Sequence, residues 1–189
     1  MLSSAALTDI WTQHWPVWLV TVTLTVAAVI DGWKLKVPNW LTLPMIVSGW
    51  VYSGVALGWA GFGWSIAATA VGLALLLPAY SIGGMGAGDV KLLAGVGAWL
   101  AAPLTLVYAF CVSALIGGAI ALAMVVYRKA WDKHLSQFRL IAGEILTIRD
   151  PNQLSAIAAE RKSTMLLLPY GIPIAIGSIL YFAWSGMLM

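Results

Sequence analysis

Charge is what this sequence has least of. Of its 189 residues only 9% are charged and 61% are apolar, against about a quarter charged and about half apolar in soluble domains. With a mean hydropathy of +0.92, that scarcity argues against a water-soluble fold. It argues equally against an unfolded chain, which needs charge and polarity to stay solvated. Cysteine is nearly missing as well. Cys111 stands alone, which excludes an internal disulfide framework and a cysteine-built zinc site. Residues 1–15 contain no Lys or Arg, carry Asp9, and lead into an apolar run of full span length. A cleavable signal peptide opens on positive charge, so none is expected there. Neither an internal repeat nor a low-complexity tract is present.

What the sequence does have is apolar runs, at residues 11–30, 41–57, 64–80, 104–126 and 165–189. Each is near the roughly 20 residues that a membrane helix needs. A shorter run, 90–102, lies between Asp89 and Pro103. At about 1.5 Å per residue it cannot cross a roughly 30 Å core unaided. The expected fold is all-α: one membrane-embedded domain over 1–189, polytopic, with about six transmembrane helices. The basic residues check that count. Lys34 and Lys36 follow the first helix, Lys91 opens the fourth, and Arg128, Lys129, Lys133, Arg139, Arg149, Arg161 and Lys162 lie between the fifth and sixth. With alternating helices all ten fall on one face, which is then the cytoplasmic one, and both termini lie outside. Removing the fourth helix destroys the agreement. The net charge of +3 thus reads as a topology signal, and no nucleic-acid partner is expected.

Residues 126–163 form the one sizeable polar segment. Leu135, Phe138, Ala142 and Ile145 recur at helical spacing among Arg139, Glu144 and Arg149, as in an amphipathic helix on the cytoplasmic interface. Asp150-Pro151 suits the start of a second short helix. A basic loop that only fixes topology and a substrate-docking segment are both open readings. Trp11, Trp15, Trp33, Trp40, Trp59 and Trp64 fall near span ends, as an aromatic belt would. His14 and His134 fall on opposite faces and cannot share a site. Cys111, in mid-span, reads as a packing residue.

Of the seven acidic residues, Asp132, Glu144, Asp150 and Glu160 lie in the basic loop and Asp9 in the external flank. Asp31 and Asp89 differ from these. Asp31 ends the first apolar span and Asp89 begins the fourth, so both lie at the cytoplasmic boundary. A carboxylate beside hydrocarbon is costly without a partner, water or a proton. Asp89 is preceded by Gly83-Gly84-Met85-Gly86-Ala87-Gly88, a stretch able to turn sharply and approach another backbone closely. A helix starting there lets the Asp89 carboxylate cap backbone N–H groups at the positive end of the dipole. Each feature has a plainer reading: Asp31 as an interfacial helix end, and the glycines as a packing turn with Gly84 and Gly88 in small-xxx-small spacing. Together they suggest more. Two carboxylates held close tend to share one proton. One can then act as base on water while the other polarises a carbonyl. That chemistry needs no metal and no cofactor.

Asp31-Gly32-Trp33-Lys34-Leu35-Lys36-Val37-Pro38-Asn39 resembles the first-aspartate segment of the type IV prepilin peptidases, with its basic stretch and Pro-Asn. Residues 83–92 resemble the second, Gly-x-Gly-Asp-x-Lys-Leu. Pro169-Tyr170-Gly171-Ile172-Pro173, with Ala175 and Gly177, is similar to the family's lead-in to its C-terminal helix. The likeness spans about 30–177. It implies a polytopic aspartic endopeptidase of the bacterial cytoplasmic (inner) membrane that removes the basic leader of prepilins or pseudopilins just before their hydrophobic helix. It also implies that Asp31 and Asp89 are catalytic, that Gly86 and Gly88 shape the turn, and that Lys91, Pro38 and Asn39 support the motif. Larger members carry an N-terminal cytoplasmic segment, often with Cys-x-x-Cys pairs, that is associated with N-methylation. Its absence here implies cleavage without methyl transfer, as in the short forms of Flp/Tad-type pilus systems. The alternative from another class is an ion-coupled small transporter using the two aspartates. It predicts inverted repeats and acids at mid-membrane, and neither is evident. A scaffold role predicts that Asp→Asn changes are silent. Presenilin-type proteases share Gly-x-Gly-Asp, but they place the other Asp in a Tyr-Asp deep in a helix, whereas Ile30 precedes Asp31.

Overall fold

The computed structural model describes residues 4–81, 84–127 and 169–189. Among these residues the chain forms five helices: α1 (Ser4–Lys34), α2 (Asn39–Ser81), α3 (Ala87–Leu100), α4 (Pro103–Tyr127) and α5 (Gly171–Trp184). The expected all-α architecture is observed. The expected amphipathic helix of the polar loop, its short successor, His134 and Gly83 lie outside the described residues.

Three stretches are long and apolar enough to cross a membrane: His14–Lys34, Asn39–Ser81 and Pro103–Met124. The runs expected as separate helices at 41–57 and 64–80 are the two arms of α2. This helix is broken at Gly58, whose φ of 71° and ψ of −167° favour glycine. The arms fold back on one another. Trp50 Nε1 donates to Thr69 Oγ1 at 3.0 Å, and Ser53 Oγ (3.3 Å) and Ser65 Oγ both donate to the Ala98 carbonyl of α3. The turn expected over 58–63 is therefore much tighter, with helix resuming directly after Gly58. Of the run expected over 165–189, the described part, 169–189, is helical over Gly171–Trp184. At 14 residues each, α3 and α5 are about 21 Å long, short of a roughly 30 Å hydrocarbon core.

Polarity is arranged inside out. Asp31, Thr42, Ser53, Ser65, Thr69, Asp89, Ser113 and Ser178 are buried, while large apolar side chains such as Val55 (83% exposed) and Leu115 (75%) cover the outer faces. A bilayer favours that arrangement, since apolar surface facing lipid costs nothing and polar groups need partners within the protein. The chain is a polytopic membrane protein. Trp33, Trp40, Trp59, Trp64 and Trp184 are exposed as a belt requires. Trp99 instead stacks on Tyr52 at 5.1 Å inside the bundle, with Trp15 edge-on to both. Cys111 is exposed, which corrects its expected packing role: it lies on the outward face of α4.

Helices α2 and α3 pack through small residues. A methyl on Gly97 would come within 2.5 Å of the Ala68 carbonyl oxygen, and one on Gly72 within 2.9 Å of Ala94 Cα. Helices α4 and α5 meet in the same way, Gly177 lying against the Ser113 backbone. Such contacts replace the hydrophobic drive that is missing between helices in lipid. They also fix where α1, α3 and α5 present their ends.

Candidate active site

Asp31 does not end its helix; α1 continues to Lys34. The helix closes at Leu35, a non-glycine residue with φ of 50°, whose N–H bonds the Asp31 carbonyl at 2.8 Å. This left-handed cap turns the chain sharply and leaves Asp31 one turn inside the protein. Its side chain is 2% exposed, and its Oδ2 accepts the Gly171 N–H at 2.8 Å. A methyl on Gly171 would stand 2.9 Å from Oδ2 and 3.0 Å from the Asp31 Cβ. Glycine is thus the residue that lets the backbone reach the carboxylate. A methyl on Gly32 would meet Ile172 on the same contact, at 3.5 Å.

Asp89 sits at the third position of α3, which begins at Ala87. Its Oδ2 accepts the Gly86 N–H at 3.2 Å, and its own N–H bonds the Gly86 carbonyl at 3.2 Å. The expected capping role is observed, at the positive end of the α3 dipole. The carboxylate is 5% exposed. Gly84 N–H returns to the Ala79 carbonyl at 2.9 Å, closing the turn out of α2.

The two aspartate segments are packed together. Gly88 lies against the Val37 carbonyl, where any side chain would collide. Lys91 Nζ donates to Asn39 Oδ1 at 3.0 Å. The Pro38 carbonyl accepts the N–H groups of Leu41 and Thr42, at 3.1 and 3.3 Å, and so starts α2. Asn39, Gly88 and Lys91 thus hold one segment against the other, while Pro38 and Gly86 bond within their own segments.

A third segment, to which the sequence pattern assigns no site role, completes the arrangement. Gly171 binds Asp31, and the negative charge of Asp89 is felt at its chain neighbour Tyr170. In the turn ahead of α5, the Tyr170 phenol is raised above its ordinary value, first by burial and then by the negative charge of Asp89. Asp31 thus bonds this dipeptide, and the charge of Asp89 acts on it. The signal available in the sequence is Pro169-Tyr170-Gly171, a turn dipeptide at the head of a helix. Nothing local says what it touches. Among the described residues, no group of three His, Cys, Asp or Glu is placed to hold a metal ion.

The sequence profile of the type IV leader peptidase family matches residues 18–122. The matched stretch contains both aspartate segments and ends within α4. No curated protein and no solved structure matches the chain.

Proposed function

Since the chain belongs to the type IV leader peptidase family, we propose that it is an aspartic endopeptidase that removes the basic leader of Flp-type prepilins or pseudopilins, with Asp31 and Asp89 as its catalytic pair. The observation that carries the reading is that both carboxylates are buried, with Asp31 bonded to Gly171 and the charge of Asp89 acting on the neighbouring Tyr170. Asp89, at the head of α3, carries the negative charge and takes a proton from water. Asp31 carries the proton and polarises the scissile carbonyl. Water adds to that carbonyl, the peptide bond breaks, and the new amine takes up a proton. The apparent pKa values of such a pair belong to both members jointly.

In this reading α1, the two arms of α2, α3, α4 and α5 make six passes, α3 and α5 being the short ones. The protein lies in the bacterial cytoplasmic membrane with both termini outside and the site at the cytoplasmic face, where the basic residues gather. A prepilin, with its positive leader and apolar helix, inserts with its cleavage site at that level. With one cysteine in these 189 residues and no Cys-x-x-Cys pair, the proposed product is unmethylated.

The test is co-expression with an Flp-type prepilin, reading cleavage by gel shift and the new N-terminus by mass. The native chain is compared with Asp31→Asn and Asp89→Asn after equal insertion is confirmed. The expected outcome is cleavage by the native chain and a loss of about 10³-fold or more in each variant, with a product lacking methyl mass. Cleavage by either variant would overturn the assignment of the pair, and a methylated product the short-form reading. A native chain that cuts no prepilin in a panel would count against the peptidase and favour the transporter alternative.

A further inference from the structure

A cavity of about 230 Å³ lies between the end of α2, the glycine turn, α4 and the head of α5. Its walls are Leu76, Met85, Phe110, Ile174 and the ring of Tyr170. Two of these tie it to the carboxylates. Met85 precedes Gly86, whose N–H binds Asp89, and Tyr170 precedes Gly171, whose N–H binds Asp31. Ser113 contributes no free hydroxyl, because its Oγ already donates to the Ala109 carbonyl at 2.8 Å, with that of Ile174 at 3.3 Å. The occupant is therefore apolar. A cavity of roughly 150 Å³ lined by such side chains accepts a benzene ring, so this one has room for an aromatic or leucine-sized side chain. Ala114 and Gly118 also line it and are exposed on the outer face of α4. A chain already in the membrane can therefore reach the cavity from the side.

We propose that this cavity is the subsite for the first apolar side chain after the scissile bond, and that its size sets which residue is accepted there. The proposal rests on the peptidase reading above. It follows from position: Met85 and Tyr170, which line the cavity, stand next in the chain to the glycines that bind Asp89 and Asp31, and in that reading the substrate's apolar helix begins directly after the cut. A larger cavity, about 540 Å³, lies at the bend of α2 beside Trp50, Trp59 and Phe62. It touches neither aspartate segment, and nothing in the structure shows what covers it.

The experiment uses the full chain in lipid vesicles and one prepilin with Phe, Leu or Ala directly after the cut. The native chain is expected to cleave the Phe and Leu forms at least about tenfold better than Ala in kcat/KM. In Gly118→Leu and Ala114→Leu, which add bulk at the mouth, that ratio falls toward one. A native ratio near one, or a ratio that neither substitution moves, overturns the subsite. Because the readout is a ratio within one preparation, partial loss of folded protein does not alter it. A second measurement places photo-leucine at the same substrate position and illuminates it with Asp89→Asn. Labelling of Met85 or Phe110 supports the subsite; labelling of the lipid-facing Val47 or Val51 overturns it. If the native chain cleaves no form of the prepilin, the peptidase reading fails, and the labelling pattern still decides whether the cavity takes the side chain.

Discussion

Glycine brings backbones together in two regions of this molecule, and the neighbours it meets there differ. Between α2 and α3, Gly72 and Gly97 face Ala94 and the Ala68 carbonyl, so what they admit is another helix. At the opposite end of α3, Gly86 and Gly171 face Asp89 Oδ2 and Asp31 Oδ2, and a methyl would stand 3.1 and 2.9 Å away. What these admit is a carboxylate onto a backbone N–H. The first region trades side-chain volume for dispersion contact, which holds helices together where lipid supplies no hydrophobic drive. The second trades it for charge-assisted hydrogen bonds that orient two acids. The same residue type therefore contributes stability at one end and geometry at the other.

Substitutions should separate the two contributions. The largest effect is expected at Gly171→Ala. The methyl pushes on the Asp31 carboxylate, and a displacement of about 1 Å at a reacting group can cost on the order of 10²-fold in rate. Leader cleavage in vesicles should fall by that amount while the thermal midpoint in detergent stays near the native value. A variant that keeps its rate and loses its midpoint would reverse the comparison. Gly97→Ala is expected to do the opposite. It forces α3 away from the Ala68 carbonyl at a cost of about 1–3 kcal/mol, seen as a lower midpoint with the rate per folded molecule retained. An unchanged midpoint would show that the α2–α3 contact can relax. The smallest effect belongs to Asn39→Ala. It removes the 3.0 Å bond from Lys91 at an exposed position, a loss of about 1 kcal/mol or less. Cleavage should change only a fewfold, and a hundredfold loss would give Asn39 a direct part in the chemistry.

Much of the fold is legible in the order of the residues. The apolar runs mark the membrane class and nearly every helix, because hydropathy and helix formation depend on contiguous residues. Helix boundaries are less legible. The six-residue turn expected around Gly58 is one broken residue, and α1 runs through Asp31 to a left-handed cap at Leu35. Leucine in that conformation follows no local preference. Cys111 shows a related limit. A mid-span position says that a side chain is in the membrane, but not whether it faces a helix or the lipid.

For the candidate site the division falls between pieces and their assembly. Asp31, Asp89 and the glycines before Asp89 are identifiable because ionisable groups are rare and costly in so apolar a chain. Only the tertiary structure brings Gly171 to Asp31 across 140 positions, joins Lys91 to Asn39, and forms a cavity between Met85 and Tyr170. Sequence by itself determined that this protein is a helical membrane protein with two acids within a turn of helix ends, since burial of apolar surface and the cost of charge in lipid act residue by residue. The packing of α1, α3 and α5 against one another decided what those acids face, because a contact between distant segments depends on how every intervening helix settles.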